Sequence, residues 1–561
     1  MRSWATFVAL AAAISSVFAA PTSDSYYTPT KFFTLNLRTE NVAPDGYPVQ
    51  MKLANHQIDY AIEVNAGDTV SVTVINNLGA PTSIHWHGMF QRGTPWMDGA
   101  GGVTQCPIPP GGSYVYTFNV GQQVGTYWWH AHYISGYVDG IRGPFIIHDP
   151  KDPYKGQYSE EKVITLVDHY HNTSAYLLDY CAFEPVPESG LINGVGVYDC
   201  KFAKPGSGCR PASPYVLNFT PGKTYRLRLI NEGAMAPFEF SIDNHVMTVI
   251  ESDGVYTNPT VVDNVRILPS QRYSVLVTAN QRVSNYFIRA TMDVAMWAPA
   301  PVDLNGLNPN VTGIVRYAGA PARTPTSTSN ITNPLDAYHL GELNGLTSDT
   351  LPDDFNQTLY FGFSLQPNDE NITRAAISIT DSDDLVNIDD SQYRVPSYPD
   401  LLSVVGGKNA SQLPATSNAV NVYNGTYVYL QVRNDDAVEH VFHLHGHTFW
   451  VINSGKLLHA DKAATYPRRD AIQVPPCTGG KGGGGEASCL KGYVGLLIKF
   501  DNPGVWLFHC HIEWHMSAGL LFTFVNNAGL ANAATAAKIP RAAYSCANNH
   551  KGEDLFGLGV I

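Results

Sequence analysis

The chain is predicted to be all-β and to hold several domains. Stretches such as Thr69 to Ile75 and Tyr225 to Ile230 place apolar residues at alternate positions, the period of a half-buried strand, and the segments between such stretches are rich in Gly, Pro and Asn. A length of 561 residues allows three or four domains at the usual allotment of roughly 150 residues each.

Along the chain, Met1-Arg2 and the apolar run from Ala5 to Phe18, ending in Val17-Phe18-Ala19, predict a signal peptide over residues 1–19. Domains are expected over 20–148, 149–320 and 335–561, and the stretch 321–334, rich in Pro, Thr, Ser and Asn, reads as a linker. The Gly-rich run Gly479 to Gly485 reads as a loop excursion that can be no more than a tolerated insertion. No later apolar run reaches the roughly 18 residues that a membrane helix needs. A secreted, extracellular glycoprotein is therefore expected, with Asn-x-Ser/Thr sequons at Asn172, Asn218, Asn310, Asn330, Asn356, Asn371, Asn409 and Asn424. The net charge of -13 argues against nucleic acid or an anionic membrane as partner and says little about substrate. A monomer without a membrane anchor is expected.

The most informative segment is His509-Cys510-His511-Ile512-Glu513-Trp514-His515, which follows the strand-like run Val505-Trp506-Leu507-Phe508. On a strand, neighbouring side chains point to opposite faces, so Cys510 faces away from the histidines that flank it. A thiolate on one face and two imidazoles on the other can serve two metal sites a few covalent bonds apart. Taken alone, the segment reads better as a buried structural cysteine beside core histidines. Three further His-x-His pairs change that balance: His85 with His87, His130 with His132, and His443 with His445. His440 and His515 can join Cys510 on its own side, giving ten histidines and one cysteine. So imidazole-rich a set with a single thiolate favours copper over zinc or iron. His169, His171 and His447 lie near these motifs but are assigned ordinary hydrogen-bonded roles.

These stretches carry a resemblance. Ser83-Ile84-His85-Trp86-His87-Gly88, Met97-Asp98-Gly99, Thr104-Gln105-Cys106-Pro107-Ile108, Gly125 to His132, His440 to His447 and Asp501 to His515 resemble the blue multicopper oxidases, in particular fungal laccases and ferroxidases. The resemblance implies three cupredoxin-like β-sandwich (Greek-key) domains and four copper ions. Type 1 copper is then held by His440, Cys510 and His515, and type 2 by His85 and His443. A type 3 pair takes His87, His130, His132, His445, His509 and His511. The family's axial position, ten residues after the cysteine, is Leu520; a leucine cannot coordinate, which implies a three-coordinate, more oxidising type 1 ion. Val441 and Ala131 stand where many members have proline and serine. Disulfides Cys106–Cys546, Cys200–Cys209 and Cys477–Cys489 are implied, leaving Cys181 single, with an exchange among Cys181, Cys200 and Cys209 as a rival pairing.

The implied chemistry is four-electron reduction of dioxygen to water, fed by one-electron oxidation of a small donor. Asp98 and Glu513 match the family's acids beside the copper cluster and are expected to supply protons; outside that context each reads as a surface or capping carboxylate. Two substrate patterns coexist. Glu188, before Leu191-Ile192-Asn193, resembles the carboxylate with which laccases bind a phenolic or aromatic amine donor, whereas Glu184, Asp293 and Asp436 resemble the acidic set that binds ferrous ion in ferroxidases. A secreted phenol oxidase is the expected function, with ferroxidase as the alternative. A copper-storage glycoprotein needs no complete acidic and conducting set, and a copper nitrite reductase lacks most of these histidines.

Overall fold

The computed structural model describes residues 30–180, 184–297, 306–335, 343, 345–346, 351–352, 355–367, 373–381, 392–453, 466–477 and 492–546. The expected signal peptide, Cys181, Cys489, Asn371 and the Gly479 to Gly485 run lie outside them.

Six sheets account for nearly all the strands, two per segment of chain. The first pair has four strands each, the second seven and six, and the third six and five. Each pair is a β-sandwich of the cupredoxin type, with antiparallel neighbours and a few parallel pairings where the chain crosses between sheets, as between Thr30–Val42 and Thr69–Asn76. The strand Thr69–Asn76 shows why the alternation in sequence matters, since Val70, Val72 and Val74 are fully buried and the residues between them are not. The segment 321–334 runs along the second sandwich rather than standing clear of it. Asn285 Nδ2 donates to Pro321 O, Ser327 Oγ donates to Asp243, and Pro334–Leu335 pairs in parallel with Asn264–Ile267.

The third sandwich touches both others. One hydrophobic cluster runs from the second into the third and includes Phe442, Phe508 and Cys510, while another joins the first to the third and includes Val505 and Leu507. The strand Gly504–Cys510 is buried along its whole length, and its two faces serve two different cores. Two disulfides are in place, Cys106–Cys546 and Cys200–Cys209; Cys477 is also bonded, and among the described residues Cys510 is the free cysteine. No helix among the described residues is long and apolar enough to cross a membrane.

Candidate metal centre

Strand register brings the histidines together. Ile84–His87 pairs antiparallel with Gly125–Ala131, setting His85 opposite His130, and His440–Leu444 pairs with Gly504–Cys510, setting His443 opposite His509 and Phe442 opposite Cys510. Because side chains alternate, the odd positions His443 and His509 face the first sandwich. The even positions His440, Phe442 and Cys510 face the core of the third. His132 and His445 lie just beyond the ends of their strands and turn inward to the same place.

Four groups of potential ligand atoms result, each with its members within 4.8 Å: His85, His87 and His443; His87, His130 and His511; His132, His445 and His509; and His440, Cys510 and His515. The first three share residues or walls and make one buried cluster between the first and third sandwiches. Within it His445 Nε2 is 3.1 Å from His509 Nε2, and the ring centroids of His87 and His443 are 3.7 Å apart. In the fourth group Cys510 Sγ is 3.6 Å from Nδ1 of both His440 and His515, and those two nitrogens are 3.0 Å apart. Burial would push the Cys510 thiol up, but the two imidazoles outweigh it and hold the thiol down at about 6. Leu520 is fully buried beside this group, its carbonyl accepting from Cys510 N and its N donating to His515 O.

Carboxylates fix the rings from behind. Asp98 Oδ2 accepts from His445 Nδ1 at 2.8 Å, and the Asp98 carbonyl is 2.8 Å from His85 Nδ1. Gly99 makes this approach possible: at φ +84° a Cβ there would lie 1.7 Å from Ile84 O. Glu513 is fully buried and accepts from Ser135 Oγ at 2.5 Å and from Ser517 Oγ; burial pushes its carboxyl up to about 7, against those bonds. Asp470 went unnoticed in the sequence. Its carbonyl is 2.8 Å from His443 Nδ1, its carboxylate lies 3.4 Å from His87 Nε2, and Arg272 grips that carboxylate through two bonds of 2.7 and 2.6 Å. Arg468-Arg469-Asp470 is an ordinary charged triplet in sequence, so only its tertiary partners reveal it.

The expected substrate carboxylates separate. Glu184 Oε1 lies 3.6 Å from His515 Nε2 and Asp436 Oδ2 lies 2.9 Å from His440 Nε2, so the outward nitrogens of both rings meet an acid. Asp293 instead binds Arg266 at 2.8 Å, together with Glu239 and Glu439. Glu188 accepts from the backbone N of His171 at 2.9 Å. His447 has the ordinary role assigned to it, its Nδ1 bonded to His445 O and its ring between Phe500 and Trp506.

Three sandwiches, the first and third of which share a buried imidazole cluster joined through one strand to a His2Cys group, define a metal-dependent electron-transfer protein. Models described as multicopper oxidase match residues 36–152, 160–320 and 383–529. Laccase-4 of Thanatephorus cucumeris is 36% identical over 90% of this chain and 92% of its own length, and the iron transport multicopper oxidase fetC of Epichloe festucae is 35% identical over 83% and 71%. Among solved structures, the laccase from Botrytis aclada aligns with TM-score 0.77 and 30% identity over 91% of this chain and 90% of that one. Fet3p, a multicopper oxidase that functions in iron import, aligns with TM-score 0.74 and 29% identity over 89% and 90%. The chain belongs to the multicopper oxidase family and is an oxidoreductase.

Copper, which the family implies, fits the donors present. Nε2 of His85, His130, His132 and His443 and both ring nitrogens of His87 and His511 are buried without a hydrogen-bond partner, a costly arrangement unless something accepts their lone pairs. Burial, reinforced by the neighbouring rings, holds His130, His132, His445 and His511 well below the usual histidine range, so they stay neutral and able to ligate.

Proposed function

We propose that this chain is a secreted, laccase-like multicopper oxidase that couples one-electron oxidation of phenolic or aromatic amine donors to reduction of dioxygen to water. The observation that carries the reading is the parity of one strand: Cys510 joins His440 and His515 on one face, while His509 and His511 on either side of it join the buried cluster. In this reading His440, Cys510 and His515 hold the type 1 ion and His85 and His443 the type 2 ion. One type 3 ion falls to His87, His130 and His511 and the other to His132, His445 and His509. Bound there, copper supplies reversible one-electron chemistry and reactivity toward dioxygen.

The chain's own groups do the rest. The outward nitrogens of His440 and His515 lead toward the donor, and Cys510 with its two neighbours provides a covalent path of a few bonds to the cluster. Glu513, whose carboxyl burial pushes up to about 7, is placed to pass protons to the water that is formed, and Asp98 accepts from His445 beside the cluster. His85 is one of only two imidazoles given to the type 2 ion. His85→Ala is therefore expected to lose the type 2 paramagnetic resonance signal first and keep the blue colour, and an intact type 2 signal would refute the assignment.

Ferrous ion is the second reading, favoured by the two carboxylates on the outward nitrogens, since a hard cation suits oxygen ligands. The third acid of that set, Asp293, is engaged by Arg266. A Glu184→Ala, Asp436→Ala double mutant is expected to lose most iron oxidation while phenol oxidation largely survives. Glu188→Ala should slow phenols more than a donor with no acidic proton. Equal losses on iron and phenol in both mutants would mean that neither set is a dedicated substrate site.

A further inference from the structure

A second constellation of ligand-type side chains lies apart from the copper groups. His169 ends the strand Glu160–His169 of the second sandwich, His171 follows two residues later, and Asp45 reaches them from the loop between Thr30–Val42 and Val49–Ala54 of the first. One potential ligand atom from each lies within 4.8 Å of the others. All three side chains are almost wholly enclosed.

The group is already oriented. Asp45 Oδ2 accepts from Ser189 Oγ at 2.5 Å and lies 2.8 Å from His171 Nε2, and Asp45 Oδ1 accepts from Tyr47 N. The Tyr47 ring stacks on His171 at 4.1 Å and fixes its plane. The third member is unsatisfied: Nε2 of His169, which is only 4% exposed, has no hydrogen-bond partner. A pure hydrogen-bond network would give that nitrogen a donor or an acceptor. Two imidazoles and one carboxylate are instead the donor set of an open zinc site, in which a water completes the four ligands. Ser189 and Tyr47 act as the outer groups that such ligands require. Magnesium and calcium, which demand oxygen ligands in larger number, do not suit it.

We propose that Asp45, His169 and His171 form a further metal site, which takes zinc or a similar divalent ion of the first transition row and clips the loop of the first sandwich to the edge of the second. His171 exchanges its bond to Asp45 for a shared ion, which opens that pair by a few tenths of an ångström, and the ion takes up the free nitrogen of His169. The Asp45 loop already meets the second sandwich through backbone bonds from Gly196 N to Pro44 O, Tyr198 N to Asp45 O and Arg210 N to Gly46 O, and the ion adds a further tie at the same seam.

The test equilibrates the copper-loaded enzyme with a small excess of zinc chloride, removes free ion and counts metals by mass spectrometry. The wild type is expected to carry one more ion per chain than His169→Leu, with copper content and blue absorption equal in the two. His169→Cys, which restores a zinc ligand, should recover the additional ion. Zinc should also raise the unfolding temperature of the wild type, a readout that needs no variant to fold. Equal metal counts in wild type and His169→Leu, loss of the blue band in His169→Leu, or an unfolding temperature indifferent to zinc would each overturn the proposal.

Discussion

Cys510→Ser is expected to abolish both the intense blue absorption and oxidase turnover while the protein still folds. The side chain is fully enclosed and the polar neighbours of its sulfur are the two rings it would share an ion with, so a hydroxyl fits sterically and costs about 1–3 kcal/mol if it goes unpaired. What is lost is a soft, polarisable donor whose proton is already loosened by His440 and His515. The imidazole cluster on the other face keeps all its members, since none of its hydrogen bonds runs through the sulfur. Copper content should therefore fall by about one ion per chain, and not by all. A mutant that stays blue and active would refute the role given to this strand.

Asp470→Ala is expected to give the largest loss of stability of any single change near the cluster. The residue and its partner Arg272 are both fully buried, and the pair joins the second sandwich to the third. Removing the carboxylate leaves a guanidinium in the interior with only Asp253, 3.6 Å away, as a counter-charge. Breaking a buried pair from one side typically costs about 3–5 kcal/mol, whereas replacing both partners by apolar groups of similar volume is often close to neutral. Denaturant unfolding of Asp470→Ala and of Asp470→Leu, Arg272→Met should therefore diverge, with the double mutant regaining most of the stability. Turnover should stay low in both, because His443 and His87 have lost the carboxylate beside them. If the double mutant is no more stable than the single, the buried charge is not what makes Asp470 costly to remove.

Much of the site was legible because it follows from strand geometry. His-x-His pairs and the Cys510 segment need only a period of two to sort themselves onto faces, and the register of His440–Leu444 against Gly504–Cys510 carries that sorting across the sheet. Asp470 and Arg272 were invisible for the opposite reason: they are 198 residues apart, and neither has a local pattern to mark it. The acids near His440 and His515 fall between these cases. Spacing from a ligand located Asp436, four residues before His440. Asp293 has no such anchor, and the salt bridges of Arg266 decide where it points. His169 and His171 were set aside because the copper inventory was complete without them, a criterion that cannot see the carboxylate of Asp45 arriving from another sandwich.

The buried cluster draws on residues 85 to 132 at one end of the chain and 443 to 511 at the other. A ribosome that has finished the first sandwich has made His85, His87, His130 and His132, yet their partners, of which His443 comes first, are still nearly three hundred codons from being translated. No nascent chain can close the cluster, so the polypeptide emerges with open imidazoles and completes the site only after nearly the whole message has been read. The Cys106–Cys546 bond obeys the same schedule, with its two halves 440 residues apart. Metal insertion is thereby placed after synthesis, and a truncated product, however well its first sandwich folds, cannot become a partial oxidase.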